Sequence, residues 1–391
     1  MTRAKALVLL GIIFALIIAA CDDSGDTAQA GDKPPIKIGL ITDLSGRFVS
    51  FGRDIDAATQ LAVEQINANG GVNGSELVIV TSDTAGEPDQ AVVGFRTLVN
   101  DGVVAVSGPI SSGEAEVLFA QAPDLMVPIM TGTANKEGIT AVGDGWAFRN
   151  TATNTALYAE GMPAWAEEYG IRTAVLVFDE EEPVTAAAAR FAIPPVAEAE
   201  GIEIVNLDSP VTFARGQTNF ATTVQRIREQ EADGLIIMSG PAEAGLLARE
   251  LSRQGEVREI LGHPAQASDT FFAQGGDDIN HWVLPSILDP EPGDEATRAF
   301  LAAMEEVGDD EPVPEAANYF DNIQLFASVM RDAGIDGNTS LDEARRLLRE
   351  GLLSVSGFQG VAGTISFDES GDAMKTVYVN VVIAGDLQPL G

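Results

Sequence analysis

Short runs of Val, Ile and Leu alternate along this chain with stretches whose apolar residues recur every three or four positions. The run 36–41 (IKIGLI) ends in the turn Asp43-Leu44-Ser45-Gly46, and 54–69 then carries Ile55, Ala58, Leu61, Ala62 and Ile66 on one helical face. A second strand is expected at 77–80 (LVIV) ending at Asp83, a second helix at 89–100, and a third strand at 103–106. Continuous apolar runs between helices mark parallel strands covered on both faces, because a half-exposed strand would alternate instead.

The plan returns in the second half. A strand at 173–179 (TAVLVFD) precedes a helix from Val184, which Pro194-Pro195 should interrupt. A strand at 202–205 (IEIV) ends near Asp208, and a helix at 219–231 leads to another strand. Residues 101–109 (DGVVAVSGP) and 233–241 (DGLIIMSGP) share D-G, four apolar residues and S-G-P, which marks an internal repeat. The chain therefore reads as α/β, with two Rossmann-like lobes of parallel sheet flanked by helices. Ligands of such sheets bind beyond the carboxyl ends of the strands. Both S-G-P turns then fall on the edges of a cleft.

The first 20 residues carry Arg3 and Lys5, then an apolar run to Ile18, and no acid. This is an export signal, too short to read as a spanning helix. The stretch Ile18-Ala19-Ala20-Cys21 resembles the lipobox of bacterial lipoproteins, with Cys21, the chain's one cysteine, as the lipidated residue. Residues 22–33 (DDSGDTAQAGDK) lack large apolar side chains and read as a tether, with folding expected to begin near Pro35. Residues 1–20 are thus a signal peptide, and 21–35 an anchored cysteine and tether.

Composition narrows the function. With 391 residues and 45% apolar content, the chain can bury large cores. Its 23 Lys and Arg against 59 Asp and Glu leave a net charge of −36, which repels phosphate backbones and argues against nucleic-acid binding. An acidic excess of this size suits a surface hydrated at high salt. Two histidines and one cysteine supply no zinc cluster, Cys/His dyad or disulfide framework, so no metal site is expected. There is neither a G-x-S-x-G nor a G-x-x-x-x-G-K-[ST] motif, which argues against serine hydrolysis and places ATP chemistry elsewhere, and no cofactor is expected.

The lipobox, 36–52 (IKIGLITDLSGRFVSFG), 61–74 (LAVEQINANGGVNG) and 98–106 (LVNDGVVAV) are similar to the leucine-binding-protein-like, branched-chain amino-acid-binding proteins of ABC importers. The likeness runs to the C-terminus through 318–325 (NYFDNIQL) and 363–372 (GTISFDESGD), and it is looser in the second half. It implies a type I periplasmic-binding-protein fold with two hinged lobes, one formed by 36–150 with about 285–355 and the other by 151–284 with about 356–391. It also implies a monomer, lipid-anchored and facing the periplasm or cell exterior. Such a protein closes on a small polar or amphipathic solute, an amino acid, amide or related compound, and hands it to the permease.

Ser111-Ser112-Gly113-Glu114 opens a helix after a strand end, where free N–H groups favour an anion. Ser111 with Glu114 also forms a capping box. The resemblance places Ser112 at the family's carboxylate-binding serine, Thr133, Ala134 and Asn135 in the segment that holds α-amino and α-carboxylate groups, and Phe51 at an aromatic that packs on the solute. An Asn/Thr turn and an ordinary core phenylalanine are the plainer readings of those positions.

The second lobe departs from the family. Glu180-Glu181-Glu182 stands where Tyr-Gly is usual, and this acidic run reads more readily as a solvated loop than as a cation site. Gly240 replaces another aromatic, and no acid suited to an amino group stands near His263-Pro264-Ala265-Gln266. Glu182, Gly240 and Gln266 are the second lobe's candidates, and His263 is open to either a solute contact or a cap. A degenerate cleft would instead suit an envelope lipoprotein of the same fold that regulates another protein.

Overall fold

In the computed structural model, which describes residues 33–46, 48–289, 294–307 and 312–390, two sheets are built one after the other. The expected signal peptide and Cys21 lie outside the described residues. The first half runs β1 (Lys33–Thr42), α1 (Val49–Ala68), β2 (Ser75–Asp83), α2 (Pro88–Asn100), β3 (Ala105–Ser107), α3 (Ser112–Phe119), the one-turn α4 (Ala122–Leu125), β4 (Ile129–Thr131) and β5 (Ala147–Arg149). Its five strands are parallel in the order β2-β1-β3-β4-β5, with Ile38 beside both Ile79 and Ala105.

The second half begins with α5 (Asn154–Tyr169), β6 (Thr173–Asp179), α6 (Pro183–Ala187), α7 (Ile193–Ala199), β7 (Glu203–Ile204) and β8 (Val211–Phe213). It continues through α8 (Ala221–Arg228), β9 (Gly234–Met238), α9 (Pro241–Arg253), β10 (Glu259–Leu261), α10 (Asp269–Gly275) and β11 (Trp282–Ser286). Every residue of β9, and every residue of β6 after Thr173, is buried, as helices on both faces require.

Three helices then return to the first lobe, α11 (Glu295–Glu306), α12 (Pro314–Asp332) and α13 (Leu341–Leu352). Ile323, Phe326 and Met330 of α12 join Ile55, Ala62 and Ile66 of α1 in one core. The hairpin β12 (Phe358–Gly360) and β13 (Gly363–Ile365) precedes β14 (Tyr378–Ile383) and β15 (Asp386–Pro389), which add antiparallel strands to the second sheet beside β11. The chain thus passes between lobes after Arg149, after Ser286 and before Tyr378. Two of these passages are clamped together, because buried Arg149 pairs with Asp372 at 2.6 Å.

Several boundaries differ from expectation for physical reasons. Strand β1 already includes Lys33, two residues before Pro35, since Lys33 pairs with Ser75 and its ammonium meets Asp336 at 2.7 Å. Helix α1 starts at Val49, five residues before the periodicity suggested, which brings Phe51 into its first turn. Residues 361–373, expected in the second lobe, place Val361, Ala362, Ile365 and Ala373 in the first lobe's core. The strand expected at 202–205 shrinks to Glu203–Ile204. Pro194-Pro195 does not end the helix: residues 188–192 form a π-turn, and the prolines open α7, where missing N–H groups cost least.

Candidate functional site

The carboxyl ends of the two sheets face one another across a cleft enclosing about 490 Å³ of atom-free space, part of it open to solvent. The first lobe lines it with Phe48, Phe51, Ile110, Ser111, Thr133, Asn135 and Glu315, the second with Glu182, Val184, Thr185, Gly240, His263 and Ala265. Six of the nine residues read from sequence therefore meet here. Ser112, Ala134 and Gln266 do not line the cleft.

The first-lobe wall is held by hydrogen bonds that use up its hydroxyl protons. Ser111 caps α3: its hydroxyl accepts from Glu114 N–H at 3.2 Å and donates to Glu114 Oε2 at 2.7 Å, and its own N–H reaches the same carboxylate. The Thr133 hydroxyl donates to the Ile110 carbonyl at 2.6 Å and lies 3.0 Å from the Tyr319 hydroxyl, which donates to Pro109 O at 2.8 Å. Ser112 is fully buried and its Oγ accepts from Lys136 N–H at 3.3 Å, a contact that fixes the loop after β4. The Ala134 carbonyl receives an Arg149 N–H at 3.4 Å.

Behind Ser111 lies a pair of buried acids. Thr84 Oγ1 bridges Asp43 and Glu114, and burial, with the Glu114 charge adding to it, pushes the Asp43 carboxyl up to about 7. Burial also drives the Tyr319 phenol well above its usual range.

On the second lobe, Glu182 is buried and caps α6 by accepting Thr185 N–H at 2.8 Å, unlike the exposed Glu180 and Glu181 beside it. The acidic run is thus a solvated loop for two residues and a lining residue for the third. Gln266 serves the scaffold: its Nε2 donates to the Ile237 and Ser239 carbonyls at 3.1 and 3.3 Å, and its Oε1 accepts His263 N–H at 3.0 Å. His263 serves as a cap, its Nδ1 accepting Ala265 N–H at 3.2 Å, while the residue also lines the cleft and its buried Nε2 has no partner among the described residues. Burial pushes its pKa down to about 3, so the ring is neutral and Nε2 carries the proton.

Four buried polar atoms on this lining have no hydrogen-bond partner among the described residues: Asn135 Oδ1, Thr185 Oγ1, His263 Nε2 and Glu315 Oε2. Buried polar atoms are nearly always paired, so four of them in one cleft identify a surface shaped for another molecule. The apolar walls are Phe48 and Phe51, edge to face at 6.3 Å, with Ile110, Val184 and Ala265. Glu315 escaped the sequence reading because it lies far along the chain from the other first-lobe residues and looks like an ordinary acid in a helix's first turn. Phe48, Ile110 and Val184 carry no signal beyond being apolar.

Among the described residues no three His, Cys, Asp or Glu side chains cluster as metal ligands, and no helix is long and apolar enough to cross a membrane. Residues 35–386 match the periplasmic binding protein family. A Leu/Ile/Val-binding protein homologue of Brucella melitensis is 26% identical over 86% of this chain and 88% of its own length. A branched-chain amino acid transporter substrate-binding protein from Streptococcus pneumoniae, solved with isoleucine, is 25% identical over 90% of this chain and 98% of that one, with a TM-score of 0.81. A solute-binding protein of R. palustris in complex with 4-hydroxybenzoate shares 18% identity and the same fold, with a TM-score of 0.78 over 90% of this chain and 95% of its own. Sequence likeness along nearly the whole folded part, and two sheets presenting their strand ends to one cleft, agree that the chain belongs to the periplasmic binding protein family.

Proposed function

We propose that this chain is an exported, lipid-anchored solute-binding protein that captures a small amphipathic solute between its lobes and delivers it to the permease of an ABC importer. The observation that carries this reading is the cleft itself, where unpartnered polar atoms from both lobes sit among aromatic and aliphatic walls. Residues from both sides contact one small volume, so a bound solute favours the closed arrangement, and closure is the state a permease can recognise. The anchor rests on Cys21 and the signal that precedes it. The chain itself carries out no chemical step, and the energy of transport comes from the importer's ATPase.

The test is a thermal-shift screen of the mature chain, stripped of solute by unfolding and refolding, against amino acids, amides, carboxylates and other small metabolites. A solute at 100 times its Kd adds about 2.7 kcal/mol to stability. A shift with one chemical class supports capture of that class. A folded protein that responds to nothing in the panel overturns solute capture in favour of a regulatory protein of the same fold.

A further inference from the structure

The unpartnered atoms of the cleft differ in what they ask of a solute, and they are divided between the lobes. On the first lobe, Glu315 Oε2 and Asn135 Oδ1 are acceptors, while the Ser111 and Thr133 hydroxyls already donate to Glu114 and Ile110. On the second, the Ala265 N–H held by Nδ1 leaves His263 Nε2–H as a donor. Glu315 is 8% exposed and His263 1%. No lysine or arginine lines the cleft among the described residues, and the other lining carboxylate, Glu182, is engaged as the cap of α6. A carboxylate buried against apolar walls without a cation is costly, and a cationic ligand removes that cost.

We propose that Glu315 is the specificity-determining residue of this cleft, receiving a primary ammonium group of the solute from the first lobe while His263 Nε2–H of the second lobe donates to an acceptor oxygen on the same solute. The proposal rests on the solute-binding reading and narrows it to small amines that also carry a carbonyl or carboxylate oxygen and an apolar body. It also accounts for the missing acid beside His263: the carboxylate for the amine stands on the opposite lobe, at the start of α12, and a donor has taken the second-lobe position.

The experiment uses the stripped mature chain and its Glu315→Gln variant at about pH 7.5, with calorimetry and melting curves on matched probes. These are leucine against 4-methylpentanoate, leucinamide against 4-methylpentanamide, and 3-methylbutylamine, which keeps the ammonium but lacks the oxygen. The expected result is binding by leucine or leucinamide, none by the deaminated partners, and weaker binding by 3-methylbutylamine. Glu315→Gln should weaken the amine by on the order of 100-fold while the unliganded variant melts at the same or a higher temperature. A merely structural acid at a helix start would instead lower the melting temperature and leave amine affinity unchanged.

Equal binding by the deaminated partners, or retained amine affinity in Glu315→Gln, overturns the assignment of Glu315. Binding of 3-methylbutylamine as tight as leucinamide overturns that of His263. If none of the probes binds but other anionic or neutral metabolites shift the melt, solute capture stands and this assignment falls. If the folded protein binds nothing, both fall.

Discussion

Glu315 shows how one side chain can set function against stability. Burial pushes its carboxyl up to about 7, with Asp54 adding to the effect and its own backbone N–H opposing it. A carboxyl raised in the folded state holds a proton that the unfolded chain, near 4.5, has released, so its contribution to stability is present below about pH 4.5 and is lost as pH rises through about 7. Asp43 acts in the same direction between 3.8 and about 7, and His263 in the opposite one, losing stability as pH falls from 6.5 toward about 3. Comparing Glu315→Gln with the parent isolates one group from this sum. Unliganded Glu315→Gln should gain on the order of 3 kcal/mol over the parent at pH 8, and the gain should nearly vanish by about pH 4.5, as read from urea unfolding across that range.

The elements that present the cleft are short and depend on their caps. Helix α3 spans eight residues, and its first turn is closed by the reciprocal bonds between Ser111 and Glu114. Ser111→Ala removes one cap acceptor and one of the donors that hold the Glu114 carboxylate. A loss of about 1–2 kcal/mol in unfolding free energy is expected, and a change below about 0.3 kcal/mol would show that the cap contributes little. The close approach of α1 to the strand before it is just as demanding: a Cβ on Gly52 would lie 1.8 Å from the Asp43 carbonyl oxygen, so only glycine lets this helix pass. The π-turn before Pro194-Pro195 is the second lobe's counterpart, a local change of hydrogen-bond step that lets one helical rod continue through two prolines.

At the scale of the molecule, the two lobes are joined by three passages of the chain, and Arg149 and Asp372 hold two of them side by side at the first lobe. The full chain carries a net charge of −36. Like charges at this density repel across distances comparable with the Debye length, about 10 Å at 0.1 M salt. Raising NaCl or KCl from about 0.05 to about 1 M should therefore raise the melting temperature of the unliganded protein. A melt indifferent to either salt would mean that self-repulsion is not a significant term in its stability.

The amino-acid sequence by itself determined the class of fold, because the spacing of apolar residues depends only on which faces are buried, and it showed the repeat through the two D-G and S-G-P segments. It also indicated the edge of the cleft, since strand ends are where parallel sheets bind. A local signal found Ser111, at the start of a helix after a strand end, while Thr133, Asn135, Phe51, Glu182 and Gly240 came from the positions they hold in the family resemblance. Only the tertiary structure decided that Ser112, Ala134 and Gln266 support the cleft without lining it, and that His263, on the cleft lining, gives one nitrogen to the Ala265 N–H and leaves the other buried without a partner among the described residues. It also decided that Glu315 faces residues from the opposite lobe. The physical reason is distance along the chain: caps and periodicities act over a few residues, whereas the pairing state of a buried polar atom depends on what packing brings to it from everywhere else.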